Sequence, residues 1–239
     1  MRWLYGKGRI VVNILLAALM VALYIATTTP VAQSAISELY NSPVYRGHEK
    51  GVVGIECAVS WNAAAMPEML RVLKENELRI TFFVSGAWAE DNQELLVQMV
   101  RDGHEIGTMG QLPMRDGNTD AVREDIARSV DIIHTVSGIR PKLYYSGTRR
   151  LPSSTRAASR LGLTHVLCTV DLLSGRGKAE DILLRALDAP FDGSILLIQP
   201  TAEAVKALPA CISGLKQRGL RIGTVSEALG EHIQKEVRV

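Results

Sequence analysis

Val53-Gly54-Ile55-Glu56-Cys57-Ala58-Val59-Ser60-Trp61 is an apolar run broken by a single carboxylate. A short apolar run of this kind reads as a buried strand, and a strand is expected over 52–57. Side chains alternate across a strand, so Glu56 shares a face with Ala58 and lies one layer deeper. A buried carboxylate is costly unless it is paired or protonated, so Glu56 is expected either to have a partner or to sit neutral.

Six further strand patterns follow, at 79–84, 104–106, 143–145, 165–170, 194–199 and 221–224. Between them, apolar residues at three- and four-residue intervals mark helices over 65–75, 93–102, 120–137, 155–161, 179–189 and 202–218, with Leu95, Leu96, Met99 and Val100 as one such stripe. Strands alternating with helices imply a parallel sheet covered by helices, and seven repeats can close as a barrel. The expected fold class is α/β, an irregular (β/α)7 barrel-like domain behind an N-terminal transmembrane helix. Function in such a barrel lies at the carboxyl ends of the strands.

The 239 residues suit one domain of ordinary size, and 47% hydrophobic with 22% charged residues suit a globular core and a wet surface. Arg2, Lys7 and Arg9 are the only charges before Glu38, so three of the 27 basic side chains precede all 25 acidic ones and the rest is close to neutral. No basic stripe points to nucleic acid. Residues 10–29 are uncharged and long enough to cross a bilayer as a helix. The cations before them place the N-terminus in the cytoplasm and the domain outside. An uncleaved, single-pass anchor in the cell membrane is expected because the apolar run exceeds a signal-peptide core; a cleavable signal ending at Ala32-Gln33-Ser34, giving a secreted domain, is the alternative. The organisation is then a cytoplasmic tail 1–9, an anchor or signal segment 10–29, a linker 30–50, a domain 51–230 and a tail 231–239. Cys57, Cys168 and Cys211 form no C-x-x-C pair, and Cys57 and Cys168, inside apolar strand-like runs, read as small buried hydrophobes.

The opening run, then Thr81-Phe82-Phe83-Val84, then Asp102-Gly103-His104-Glu105-Ile106-Gly107 resemble, in that order and spacing, the start of the polysaccharide deacetylase family, the NodB-homology or carbohydrate esterase 4 domain. Thr169-Val170-Asp171, Gly193-Ser194-Ile195-Leu196-Leu197-Ile198-Gln199 and the stretch from Leu208-Pro209 to Thr224-Val225-Ser226-Glu227 continue the resemblance over about residues 51–230. Ser60-Trp61 and Phe83-Val84-Ser85-Gly86-Ala87-Trp88 look most like its sporulation-associated Gram-positive branch.

The resemblance implies an irregular (β/α) barrel and removal of acetyl groups from N-acetylated sugars such as peptidoglycan or chitooligosaccharide. That chemistry uses a divalent metal such as zinc to polarise carbonyl and water, a carboxylate base and an acid for the leaving amine. The family's base and metal-binding aspartates fall at Ala58 and Val59, its paired metal histidines at Met109 and Pro113, its fourth-strand arginine at Tyr145 and its late histidine at Gln199. Asp171 is retained, and its usual partner three residues on is Ser174. No metal cofactor is therefore expected, and no catalytic set.

Three readings stay open. One is a pseudoenzyme tethered to the membrane near cell-wall glycan, with Trp61, Tyr144, Tyr145 and Asp171 as a candidate ligand surface, or with the depression collapsed and filled by Met109. Another is a deacetylase with a rebuilt site, in which Asp171, His104 and Gln199 meet Glu56. The third is a scaffold for a cell-envelope protein in a sporulation assembly. His104-Glu105 and Asp171 have structural readings too, the first pair as a turn and Asp171 as a backbone hydrogen-bonding group. No Gly-x-Ser-x-Gly elbow or phosphate loop is present, and Ser174-Gly175-Arg176-Gly177-Lys178 and Arg149-Arg150 read as solvated loops.

Overall fold

The quoted run forms β1, Val52–Val59, buried at all of its residues. Val53, Ile55, Cys57 and Val59 enter one apolar cluster, and Ala58 enters a second on the opposite face. The computed structural model describes residues 12–13, 15–21, 24, 42–59, 64–112, 118–147, 152–188 and 190–230. The chain divides into two compact units, Met1–Ser42 and Pro43–Val239. In the first, residues 12–13, 15–21 and 24 are helical and exposed; the rest of the expected crossing at 10–29 lies outside the described residues. Among the described residues, no helix is long and apolar enough to cross a membrane.

The second unit holds β1, β2 (Thr81–Val84), β3 (Glu105–Thr108), β4 (Leu143–Tyr145), β5 (Thr164–Val166), β6 (Val170–Asp171), β7 (Ile195–Ile198) and β8 (Arg221–Gly223). Every ladder is parallel, in the order β5-β4-β3-β2-β1-β7-β6. Gly54 pairs with Ile195 on β7 and with Gly223 on β8. A residue has one partner on each edge, so β8 lies below β2 on the same edge of β1.

The seven expected strands become eight because 165–170 divides. Val166 pairs with Tyr145 on β4, whereas Val170 pairs with Leu196 on β7. Within three residues the chain leaves one edge of the curved sheet and joins the other, a change of neighbour that leaves the apolar pattern untouched. β5 and β6 do not pair with each other, so the barrel is open between them. Residues 43–50, expected as linker, are instead sewn into this side: Val44 bridges Val166, Arg46 bridges Ser194, and the Thr169 hydroxyl donates to the Tyr45 carbonyl at 2.6 Å.

Among the described residues of this unit, eight helices cover the outside and base: α1 (Met66–Glu75), α2 (Gly86–Asp91), α3 (Gln93–Arg101), α4 (Thr119–Ser137), α5 (Pro152–Arg160), α6 (Ala179–Asp188), α7 (Ala202–Gln217) and α8 (Val225–Leu229). In α1, Met66, Met69, Leu70 and Leu73 form the buried stripe that the spacing predicts. α2 and α8 are too short to show a period, and side-chain caps set them. The Ser85 hydroxyl accepts from the Trp88 N–H, while Thr224 and Glu227 form a capping box.

α8 closes the base of the barrel. The Val225 N–H donates to the Thr81 hydroxyl, Thr81 donates to the Glu105 carboxylate, and Ser226 gives that carboxylate both its N–H and its hydroxyl.

Candidate functional site at the barrel mouth

Register sets the inner face of the barrel. Glu56 pairs with Thr81 and Leu197; Thr81 pairs with Glu105, and Leu197 with Asp171. These five residues form one inward layer. One step toward the strand ends, Ala58 pairs with Phe83 and Phe83 with Gly107.

Gly107 has a steric reason. A Cβ there would lie 2.3 Å from Phe83 Cε1, so the ring lies across the space a side chain would need. Tyr145 packs against the same ring, with centroids 5.5 Å apart. Ala58, Phe83, Met109, Leu143, Tyr145, Val166 and Leu197 join one buried apolar cluster. Met109 is 5% exposed and Tyr145 2%, so among the described residues the inner face of the mouth is filled.

The individual positions then separate. Ala58 faces inward, but Val59, fully buried, faces the helix-side cluster. Tyr144 also faces away from the mouth, packed against His165 at 5.2 Å; its place in the candidate ligand surface is corrected, because neighbours along a strand point to opposite sides. Gln199 is exposed, its N–H donating to the Ser174 hydroxyl at 2.6 Å. His104 packs edge-on against Phe82 at 5.0 Å, and its Nδ1 accepts from the Ile80 N–H. It therefore does not meet Glu56, as the rebuilt site required. Burial pushes its pKa down to about 4. Trp61 and Pro113 lie outside the described residues.

Asp171 is half-buried, and its Oδ1 accepts from the Leu173 N–H at 2.8 Å, the backbone-bonding role its sequence suggests. Leu173 has φ of 51°, a left-handed conformation that the carboxylate helps to hold. Glu56 has no such partner. It is fully buried, and neither carboxylate oxygen makes a hydrogen bond. Burial, and after it the charge of Asp171, pushes its pKa up to about 8, so it is mostly protonated at neutral pH.

Two neighbours share its environment. Burial foremost, then Glu56 and Asp171, pushes the Cys168 thiol up to about 12. The same burial, with Glu56 as the next cause, raises the Tyr145 phenol. Sequence reasoning missed Phe83, Cys168 and Asp125. The Asp125 carboxylate accepts from the Gln111 and Leu112 N–H groups and so fastens the loop that follows Met109. For Phe83 a signal was present, since it alternates with Thr81 on the inward face. Cys168 becomes a neighbour only through the crossing from β5 to β6.

A divalent metal does not fit the side chains at the family positions. Ala58, Val59 and Met109 offer no oxygen or nitrogen donor, and tight binding needs several converging ligands. Among the described residues, no group of three or more His, Cys, Asp and Glu could hold a metal ion.

Residues 50–166 match the family model for polysaccharide deacetylase. The uncharacterized protein YlxY of Bacillus subtilis is 29% identical over 203 residues, covering 82% of this chain and 63% of that protein. A peptidoglycan-N-acetylglucosamine deacetylase of Bacillus cereus is 27% identical over 168 residues, covering 66% of this chain and 61% of its own length. The chain thus spans less than two thirds of these curated relatives. Among solved structures, wild-type BA3943, a CE4 family pseudoenzyme from Bacillus anthracis, superposes with a TM-score of 0.76 at 25% identity, covering 80% of this chain and 70% of that one. The matched sequence model, the parallel half-barrel and these relatives agree: the chain belongs to the polysaccharide deacetylase family.

Proposed function

We propose that this protein is a membrane-tethered, extracytoplasmic member of the family that does not deacetylate glycan and instead presents the outer surface around its filled barrel mouth as a binding face beside the cell wall. One observation carries the reading: Ala58 and Met109, the positions to which the resemblance assigns a carboxylate base and a metal-binding imidazole, are buried and apolar. Neither side chain can take a proton from water or hold a Lewis acid. The likeness to a CE4 pseudoenzyme supports loss of catalysis, and the likeness to a peptidoglycan deacetylase supports a glycan as the neighbour. The anchor reading rests on the uncharged stretch at 10–29 with Arg2, Lys7 and Arg9 before it.

A rebuilt enzyme has one observation in its favour. Glu56 is a carboxyl poised near neutrality, one layer below Ala58, and poised carboxyls mark functional sites. A single experiment separates the two readings. The full-length chain in mild detergent is incubated with peptidoglycan and with chitooligosaccharides, with and without added zinc or cobalt, and both acetate release and co-sedimentation are followed. Co-sedimentation without acetate release is the expected result. Acetate release that is lost in Glu56→Gln would establish the rebuilt enzyme.

A further inference from the structure

We propose that residues 43–49 are a detachable strap that closes the side of the barrel between β5 and β6, and that the strap opens as a unit, admitting solvent to the inner face while the sheet stays folded. The proposal goes beyond the binding face at the mouth and does not depend on it.

The topology calls for such a strap. β5 and β6 do not pair, and residues 167–169 carry the chain from one edge of the sheet to the other. Residues 43–49 lie across that gap. The Val44 N–H donates to the His165 carbonyl, and the Leu167 N–H donates to the Val44 carbonyl, both at 2.8 Å. Further along, the Gly47 N–H donates to the Gly193 carbonyl at 2.7 Å and the Glu49 N–H to the Ala228 carbonyl at 3.1 Å. On the inside, Val44 and Cys168 both pack against the cluster that holds Ala58, Val166 and Leu197.

The manner of attachment makes the strap separable. β1 is buried at all of its residues, whereas in the strap only Pro43 and Gly47 are buried, and Gly47 brings no side chain. What holds it is backbone hydrogen bonding, the Thr169 hydroxyl on the Tyr45 carbonyl, and the exposed Arg46. Arg46 Nε donates to the Asp192 carbonyl at 2.9 Å, and its guanidinium lies 4.1 Å over the Phe191 ring. A segment with few buried apolar contacts and wet hydrogen bonds opens at lower free energy than the core. Pro43 is also the first residue of this unit, so a pull on the preceding chain reaches the strap before any strand.

Two amides in the same connection tell strap opening from global unfolding. The Leu167 N–H is bonded to the strap, but the Thr169 N–H is bonded to the Ile195 carbonyl on β7 at 2.8 Å. Opening frees the first and leaves the second protected. Cys168, half-buried between them, reports whether the inner face is reached; Cys57 and Cys211 are buried elsewhere.

The test is residue-resolved hydrogen exchange on the full-length chain in mild detergent at neutral pH, with alkylation of the cysteines by iodoacetamide followed in parallel by peptide mass spectrometry. The amides of Val44, Gly47, Glu49 and Leu167 are expected to share one opening and to exchange at least about a hundredfold faster than those of β1. Arg46→Ala should speed all four together by at least about tenfold, the worth of one contact to a charged group, and should raise Cys168 alkylation with them. Thr169, β1, Cys57 and Cys211 should keep the parent's rates. Leu167 exchanging as slowly as β1 in the parent would overturn the proposal. So would an Arg46→Ala protein in which Leu167 or Cys168 does not respond, since the strap would then fray without opening the barrel. A parallel gain at β1 and at all three cysteines would also overturn it, because the strap would then belong to the single cooperative unit of the barrel.

Discussion

Glu56 enters the barrel with both oxygens unpartnered, and the physical response is to keep its proton. Its pKa rises from an ordinary 4.5 to about 8, first by burial and then by the charge of Asp171. An acid held protonated by the fold contributes stability that is complete below pH 4.5 and is lost as pH rises through 8, because the unfolded chain releases the proton first. Across that window the loss amounts to roughly 5 kcal/mol at most. Glu56→Gln mimics the protonated form, so it should leave the urea midpoint nearly unchanged at pH 5 and raise it clearly at pH 9. Equal midpoints for the two proteins at pH 9 would show that Glu56 ionises without penalty. Alternation along the strand was enough to place Glu56 beside Ala58. The same rule separates Ala58 from Val59, which a motif treats as a pair and the fold sends to opposite sides of the sheet.

At the scale of elements, the periodic parts of the chain were legible and the aperiodic parts were not. α1, α3, α4 and α7 follow their apolar stripes. α2 and α8 rest on caps rather than on a period, and the division of 165–170 into β5 and β6 depends on which edge the backbone meets. The mouth shows the same limit. The apolar side chains of Ala58 and Met109 were readable in the sequence, but the ring that fills the mouth was not, because the filling depends on β2 and β3 lying side by side. Gly107 on β3 exists to admit the Phe83 ring from β2. Gly107→Ala should therefore push that ring toward Tyr145 and cost about 1–3 kcal/mol as overpacking, a drop of several degrees in the thermal transition. The near-ultraviolet circular dichroism of the aromatic pair should change with it. An unchanged transition and spectrum would mean that Phe83 has another place to go.

For the whole molecule, three buried titratable groups oppose one another in pH. His104 and His165 are neutral in the fold, each pushed down to about 4 foremost by burial. His165 bridges the hydroxyls of Thr155 and Ser146 at 2.7 and 2.8 Å, and its ring has no carboxylate in hydrogen-bond contact to favour the cation. A histidine whose folded pKa lies below its ordinary 6.5 contributes stability present above pH 6.5 and lost as pH falls toward 4, since the unfolded chain takes up the proton first. Glu56 works in the other direction, losing stability as pH climbs from 4.5 to 8. Between 4.5 and 6.5 the two histidines outweigh the one carboxyl by a single proton, so stability falls on acidification at about 1.4 kcal/mol per pH unit. Between 6.5 and 8 the carboxyl acts alone and stability falls on alkalinisation at about the same rate. These groups therefore set a maximum near pH 6.5, which urea unfolding of the full-length chain at half-unit pH intervals will locate. In Glu56→Gln the alkaline limb should flatten while the acid limb steepens, because the opposing proton has been removed. A stability that rises continuously from pH 6.5 to 8 in the parent would mean that Glu56 is ionised inside the barrel and that a donor holds it there.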